Sequence, residues 1–452
     1  MELRPRIGRR VVLIPLPFQG HLNPMLHLAN ILHFSGFSIS IIHTHFNSPN
    51  PADHPHFSFH PIPDGLPPKS GASMGDIIPL VNALNQNCSG PFTSCLSEML
   101  SDASAQPVAC LITDTHWHVT QATADGLEIP RIVLRTSSFT TFAVLAALPL
   151  LRQKGYLPLR ESQLEEPVHE FPPLKIKDIP RSGTTDHDPM YQLLSTMCKE
   201  SKASRGIIIN SFEELEPSAM STVQQEFGVP VFPIGPFHKF LPPSPSSLLN
   251  PDRTCISWLD AQPPKSVLYV SFGSVASIDE DEFSETAWGL VNSNQPFLWV
   301  VRPGLVRGSA GAFQVPDGIL DTAAGRACIV EWAPQLEVLS HAATGGFWTH
   351  SGWNSTLESL SAGVPMLCRP VLFDQNIDAR YVTDVWKVGI SIESKLERGK
   401  IEEAIKRLMI GREAMEMRER AACLRETADR CLREGGSSYK YLEKLVSLIM
   451  SF

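Results

Sequence analysis

Residues 332–375, WAPQLEVLSHAATGGFWTHSGWNSTLESLSAGVPMLCRPVLFDQ, decide the fold. A short apolar strand, Gly346 to Trp348, feeds His350-Ser351-Gly352. A helix follows from about Asn354 to Ser361, and then a second apolar run, Pro365 to Cys368. Strand, crossover helix and strand make the unit of a parallel sheet. Ser351 and Gly352 stand before the helix, whose free backbone N–H groups and dipole then face whatever lies beyond the strand. A pyrophosphate would sit well there.

The same alternation spreads over nearly the whole chain. In the first half the predicted strands are Val11 to Pro15, Ser38 to His43, Val108 to Thr113, Arg131 to Leu134 and Gly206 to Asn210. In the second half they are Val267 to Phe272, Phe297 to Val301, Ala327 to Glu331, the two above, and Val388 to Ile392. With 452 residues, the fold class is α/β with two Rossmann-like, doubly wound domains facing a cleft. The Pro/Ser-rich stretch from Phe237 to Asp252 sustains neither period and suits a linker. The expected division is therefore 1–236, a linker at 237–252, and 253–435. After Gly435-Gly436, a separate helix at 436–452 carries Tyr441, Leu442, Leu445, Leu448 and Ile449 at helical spacing.

Composition removes several function classes. A net charge of −9 argues against a nucleic-acid partner, whose phosphates demand a basic surface. Nine Cys, an odd number without a Cys-x-x-Cys pair, indicate neither a disulfide framework nor a structural metal, and reduced thiols fit a cytoplasmic location. Arg4, Arg6, Arg9 and Arg10 precede an apolar run broken by Pro15 and Pro17, which reads as a first strand rather than a signal peptide. Phe139 to Leu151 falls short of the roughly 20 residues of a membrane span. Walker-type and Gly-x-Gly-x-x-Gly motifs are absent, which speaks against an NTPase or a nicotinamide dehydrogenase.

Ligands of open parallel sheets bind beyond the carboxyl ends of the strands. Three first-half strands end there in polar groups: Gln19-Gly20-His21, Asp114, and Thr136-Ser137-Ser138. His21 could act as a general base, with Asp114 fixing its tautomer. Alternatively, His21 caps a helix and Asp114 merely ends a strand. His116 and His118 alternate around Trp117 close to Asp114, a geometry that could hold a metal, and structural positions are the favoured reading. Asp186-His187-Asp188 lies in a loop, and Asp279-Glu280-Asp281 reads as an acidic first helical turn; neither is taken as a metal site.

The Trp332 to Gln375 segment resembles the signature box of plant secondary-product UDP-glycosyltransferases, glycosyltransferase family 1. The resemblance extends over FQGHLNP around His21, IPDGLP from Ile62, SFGS at Ser271 to Ser274, and the terminal EGGSS. It is nearest to the subgroup of steviol-glycoside and cytokinin glucosyltransferases. It implies a GT-B architecture, the first domain binding an acceptor and the second a UDP-sugar. By that resemblance His21 is the general base and Asp114 its partner. Trp332 stacks on uracil, Gln335 and Glu358 contact the nucleoside, and His350, Asn354 and Ser355 hold the phosphates, with Ser274 nearby. Trp353, Asp374 and Gln375 contact the sugar, Thr136 reaches it from the other domain, and Gly20, Ala333 and Gly352 complete the donor site. A terminal Gln in the box is associated with glucose. Ser351 stands where many relatives have Cys, Phe373 where Ala or Gly is common, and Arg135 where an apolar residue is frequent.

The activity so implied is metal-free, inverting transfer of glucose from UDP-glucose to a hydroxyl of a small apolar acceptor, with no cofactor. The acceptor pocket is expected from loops Ile77 to Cys88 and Phe139 to Tyr156, plus Pro189 to Met197. The alternative is a catalytically silent nucleotide-sugar-binding protein; a serine hydrolase lacks its Gly-x-Ser-x-Gly elbow. Nothing in the sequence sets the oligomeric state.

Overall fold

The computed structural model describes residues 4–66, 77–181, 188–242, 248–307, 315–393 and 395–452. Asp186 and His187, Pro67 of the IPDGLP run, and residues 243–247 of the expected linker lie outside the described residues.

Two all-parallel sheets organise the chain. The first comprises β1 (Arg10–Ile14), β2 (Ser38–Thr44), β3 (Phe57–Ile62), β4 (Val108–Asp114), β5 (Arg131–Arg135), β6 (Ile207–Ile209) and β7 (Val231–Pro233), in the order β3-β2-β1-β4-β5-β6-β7. The second comprises β8 (Val267–Ser271), β9 (Phe297–Val300), β10 (Ala327–Val330), β11 (Thr344–Thr349), β12 (Met366–Cys368) and β13 (Gly389–Ser391), in the order β10-β9-β8-β11-β12-β13. Each order reverses direction once, between β1 and β4 and between β8 and β11. Those switch points are where a doubly wound sheet opens a crevice for ligand.

Every strand predicted from the sequence is present, within a residue or two at its ends. The two missed, β3 and β7, are the outermost strands of the first sheet, and each contains a proline, Pro61 or Pro233. Proline removes a ladder donor and is tolerated at an edge, so these segments lack the run of buried β-branched residues that marks an inner strand.

Period-two alternation places Val11 and Leu13 of β1 on one face and Val12 and Ile14 on the other. The first face is covered by the helix Gln19–Phe34 and by the terminal helix Ser437–Ser451, whose Leu442, Leu445 and Ile449 join Val11, Leu13, Ile208 and Phe232 in one core. The last helix of the chain thus packs on the first sheet. Each of those three side chains contributes about 1.5 to 3 kcal/mol of burial.

Two expectations need correction. The segments Ile77 to Cys88 and Phe139 to Tyr156, read as loops, are largely helical: Ile77–Ser101, Phe139–Ala146 and Leu148–Gln153. Pro91 lies inside the first of these, and the high apolar content of the second hides its helical period, because it is buried on nearly all sides. Among the described residues no helix is long and apolar enough to cross a membrane. Asp279 caps the helix Glu280–Asn292 by accepting from the Glu282 N–H at 2.8 Å, the acidic first turn the sequence predicts.

Candidate active site

A cavity of about 850 Å³ lies between the two sheets, and both switch points open into it. Strand register explains the convergence on the first side. Ile14 of β1 pairs with Thr113 of β4, and Asp114 pairs with Leu134 of β5, so residues just beyond these strands share one rim. His21 lies in the first turn of the helix after β1, Asp114 ends β4, and Thr136 follows β5.

The side chains complete the geometry. His21 Nδ1 lies 2.8 Å from Asp114 Oδ2 and 3.0 Å from Thr136 Oγ1. With Nδ1–H donated to the carboxylate, Nε2 carries the lone pair, and His21 faces the cavity. Asp114 is fully buried behind it. Its other oxygen accepts from the backbone N–H of His116 at 2.9 Å and pairs with His116 Nδ1 at 2.8 Å. Burial alone would raise the Asp114 carboxyl, but the facing His21 and His116 hold it well below the ordinary carboxylate range. Burial lowers His116 to about 4 against the pull of Asp114, so it is a neutral second brace. The sequence reading treated His116 as structural and missed that it shares Asp114 and lines the cavity. Its signal was its place two residues after a strand-end carboxylate.

On the opposite side, β8 pairs with β11 through Ser271 and Thr349, and β11 with β12 through Thr349 and Cys368. This register gathers Ser274, His350 and the loop leading to Asp374 and Gln375 at one rim. The signature helix spans Trp353–Ala362, with Gly352 as a cap that has no side chain to close it. The first backbone bond into that cap is from Thr356 N–H to Gly352 O, so the N–H groups of Trp353, Asn354 and Ser355 have no acceptor within the helix. His350 is wedged between two glycines: a Cβ on Gly273 would come within 2.6 Å of its ring, and one on Gly352 within 2.5 Å. Gly273 also has φ +69, which favours glycine. Burial, with the Arg302 charge, lowers His350 to about 4 and keeps it neutral.

Trp332, Ala333, Gln335, Ser355 and Glu358 form the far end of the cavity. Gln335 Nε2 donates to Glu358 at 2.7 Å and to Ser355 Oγ at 2.9 Å, while Tyr269 donates to Gln335 Oε1 at 3.2 Å. Burial raises Glu358 to about 7, opposed by the Gln335 hydrogen bond. Leu249, Asn250 and Pro251, at the end of the expected linker, close this side, and Asp252 N–H bonds the Trp332 carbonyl at 2.8 Å. The sequence showed that stretch only as a connector.

Every site residue named from the sequence lines the cavity except Asp114, which supports His21 from beneath. Two offer a ligand less than their side chains suggest. The Trp353 indole donates to the Asn210 carbonyl at 2.8 Å, leaving its backbone N–H for a ligand. Gln375 Oε1 accepts from Val371 N–H at 2.8 Å and Leu372 N–H at 2.9 Å, so its amide presents only N–H donors. Asn354 Nδ2 reaches across the cleft to the Gly20 carbonyl at 2.7 Å. The two departures from the signature pattern, Ser351 (φ +63) and Phe373 (φ +54), both occupy the left-handed region, a strained backbone for residues with a Cβ. Burial raises Asp374 against the nearby Arg135 and His21 charges.

A sequence profile described as UDP-glucoronosyl and UDP-glucosyl transferase matches residues 251–419. The chain is 48% identical to UDP-glycosyltransferase 76B1 of Arabidopsis thaliana over 442 residues, 98% of each chain. It is 48% identical to UDP-glycosyltransferase 76G1 of Stevia rebaudiana, covering 100% of this chain and 99% of the relative. The structure of Phytolacca americana UGT2 complexed with UDP-2fluoro-glucose and pterostilbene superposes with a TM-score of 0.81 at 30% identity, over 98% of this chain and all of that one.

Proposed function

The chain belongs to the plant UDP-glycosyltransferases, enzymes of GT-B fold that glycosylate small molecules, and from that premise we propose that it transfers glucose with inversion and with His21 as general base. The observation that carries this reading is the His21 Nδ1 to Asp114 hydrogen bond of 2.8 Å at the rim facing the open N-terminus of the helix Trp353–Ala362. A base and an anion-holding helix end then lie across one cleft.

In the proposed reaction the acceptor hydroxyl gives its proton to His21 Nε2 as its oxygen attacks the anomeric carbon. The bond from that carbon to the diphosphate breaks on the opposite face, so an α-linked donor gives a β-glycoside. Asp114 stabilises the imidazolium, while the N–H groups of Trp353, Asn354 and Ser355 receive the growing phosphate charge. Donor discrimination rests on Asp374 as acceptor and Gln375 as donor toward neighbouring sugar hydroxyls. No metal ion takes part in this proposal. UDP release across an acceptor panel, with product stereochemistry by NMR, tests it; an α-glycoside product would contradict single displacement. The cavity wall of Ile77, Ile78, Val81, Leu145, Met190 and Leu194 supports an acceptor with an apolar body.

A further inference from the structure

Arg135 ends β5 and lines the cavity, yet is only 4% exposed. Its Nε donates to Ser137 Oγ at 2.7 Å and its Nη1 to Thr115 Oγ1 at 3.2 Å, both neutral partners. Its guanidinium carbon sits 5.4 Å from the centre of the Phe142 ring. No carboxylate among the described residues hydrogen-bonds or ion-pairs with it, and the charges of Asp374 and Asp114 reach it only through space. Two of its five N–H donors are used, which leaves one on Nη1 and both on Nη2. A buried cation whose anionic neighbours stop short of contact is costly, and a guanidinium edge with free donors matches a carboxylate in bidentate fashion.

Its position says which substrate would bring the carboxylate. Arg135 belongs to the first domain, one residue before Thr136, which touches His21. The first domain's share of the cavity lining also includes Thr141 and Leu145 of the helix Phe139–Ala146 and Leu194 of the helix Asp188–Lys202. The sugar-side residues Asp374 and Gln375 come from the other domain. We propose that Arg135 anchors a carboxylate of the acceptor, so that the natural acceptor is a hydroxy acid with an apolar body whose hydroxyl is presented to His21. This rests on the transferase reading above. The carboxylate stays intact: the new bond joins the acceptor hydroxyl oxygen to the anomeric carbon, its proton goes to His21, and UDP leaves.

The test compares hydroxyaryl carboxylic acids with their methyl esters as acceptors for UDP-glucose, in the native enzyme and in Arg135→Met and Arg135→Lys. The native enzyme is expected to favour each acid about 10- to 100-fold in kcat/KM, mainly through KM. In Arg135→Met the acid-to-ester ratio of kcat/KM should fall to within about threefold of one, whatever loss the two acceptors share, with Arg135→Lys between the two enzymes. Equal use of acid and ester by the native enzyme overturns the proposal without any variant. So does a sugar ester of the carboxylate as product, because Arg135 would then face the nucleophile. A separate arm offers UDP-glucuronate with a neutral acceptor; efficient use that Arg135→Met abolishes would assign the carboxylate to the donor instead. Turnover of other acceptors with neither acids nor esters used overturns the anchor, whereas no UDP release from any acceptor of the wider panel, by a folded protein, makes the transferase reading itself fail. Ester turnover without acid preference defeats only the anchor.

Discussion

The two walls of the cavity are built in opposite ways. The wall proposed for the donor comes mostly from one stretch, Trp332 to Gln375, in which consecutive elements β11, the helix Trp353–Ala362 and β12 bring neighbouring sequence to one rim. The wall proposed for the acceptor gathers His21, Val81, His116, Arg135, Leu145 and Leu194 from helices and strand ends scattered over the first domain. A diphosphate nucleoside demands fixed chemistry, so its wall is compact and local. An acceptor demands a shape, and shape is distributed.

The sharpest way to break the comparison is to disable one wall and ask whether the other notices. His21→Ala should lower turnover by about 10²- to 10⁴-fold, with UDP-glucose affinity within about threefold, because the donor wall loses nothing. Asp114→Asn should lose roughly 10- to 100-fold by removing the charge that stabilises the imidazolium and disturbing the tautomer. Isothermal titration beside steady-state rates separates the two quantities. A loss of UDP-glucose binding matching the loss in turnover would sink the separation.

This difference also governs what could be read in advance. The inner strands were legible because buried parallel strands are continuous apolar runs, as in VLYVS of β8 or RVVLI of β1. The residues proposed for the donor were legible as a group because one box holds them in order, and they line one cavity. Edge strands β3 and β7, the helical state of Ile77–Ser101, and the role of His116 were not, since each depends on partners far away in sequence. Gln375 shows the limit at atomic scale: its residue type suggested an amide free to donate and accept, but its carbonyl oxygen is held by its own loop at 2.8 Å and 2.9 Å.

That tethered amide makes the donor prediction specific. Gln375 can donate but not accept, and Asp374 can accept, so exchanging an equatorial for an axial hydroxyl leaves one group unpaired. UDP-galactose should be used about 10- to 100-fold less efficiently than UDP-glucose, and Gln375→Ala should narrow the gap. Competition between the two donors measures it. Unchanged selectivity in Gln375→Ala would move the discrimination elsewhere.

A smaller effect belongs to Glu358, raised to about 7 by burial against its bond from Gln335. A ligand hydroxyl donating to this carboxylate binds its ionised form, so binding favours deprotonation. UDP-glucose affinity should be level above about pH 7 and weaken below it, approaching tenfold per pH unit. UDP-glucose is the right probe, because it lacks the terminal phosphate of UDP. Glu358→Gln should bind more weakly at high pH and show a flat profile. A slope that survives this substitution would exclude Glu358 as its source.

The smallest expected effect is that of chelation, and it turns again on the difference between the walls. A metal serving the diphosphate needs several ligands gathered around one ion on the donor wall, and there the carboxylates Glu358 and Asp374 belong to no such group of three among the described residues. Asp279 is spent capping the helix Glu280–Asn292, and Glu282 pairs with Arg369 at 2.9 Å. The cluster of His21, Asp114 and His116 has metal-capable atoms all within 4.8 Å of one another, but it stands on the acceptor wall and includes the proposed base. A divalent ion held there would engage the groups that move the proton, so added zinc should inhibit rather than activate. EDTA should leave the rate within about twofold, because the helix N-terminus and its free N–H groups already meet the leaving-group charge. Activity lost to EDTA and restored by manganese would place a metal in the reaction, and the division of labour between the two walls would have to be redrawn.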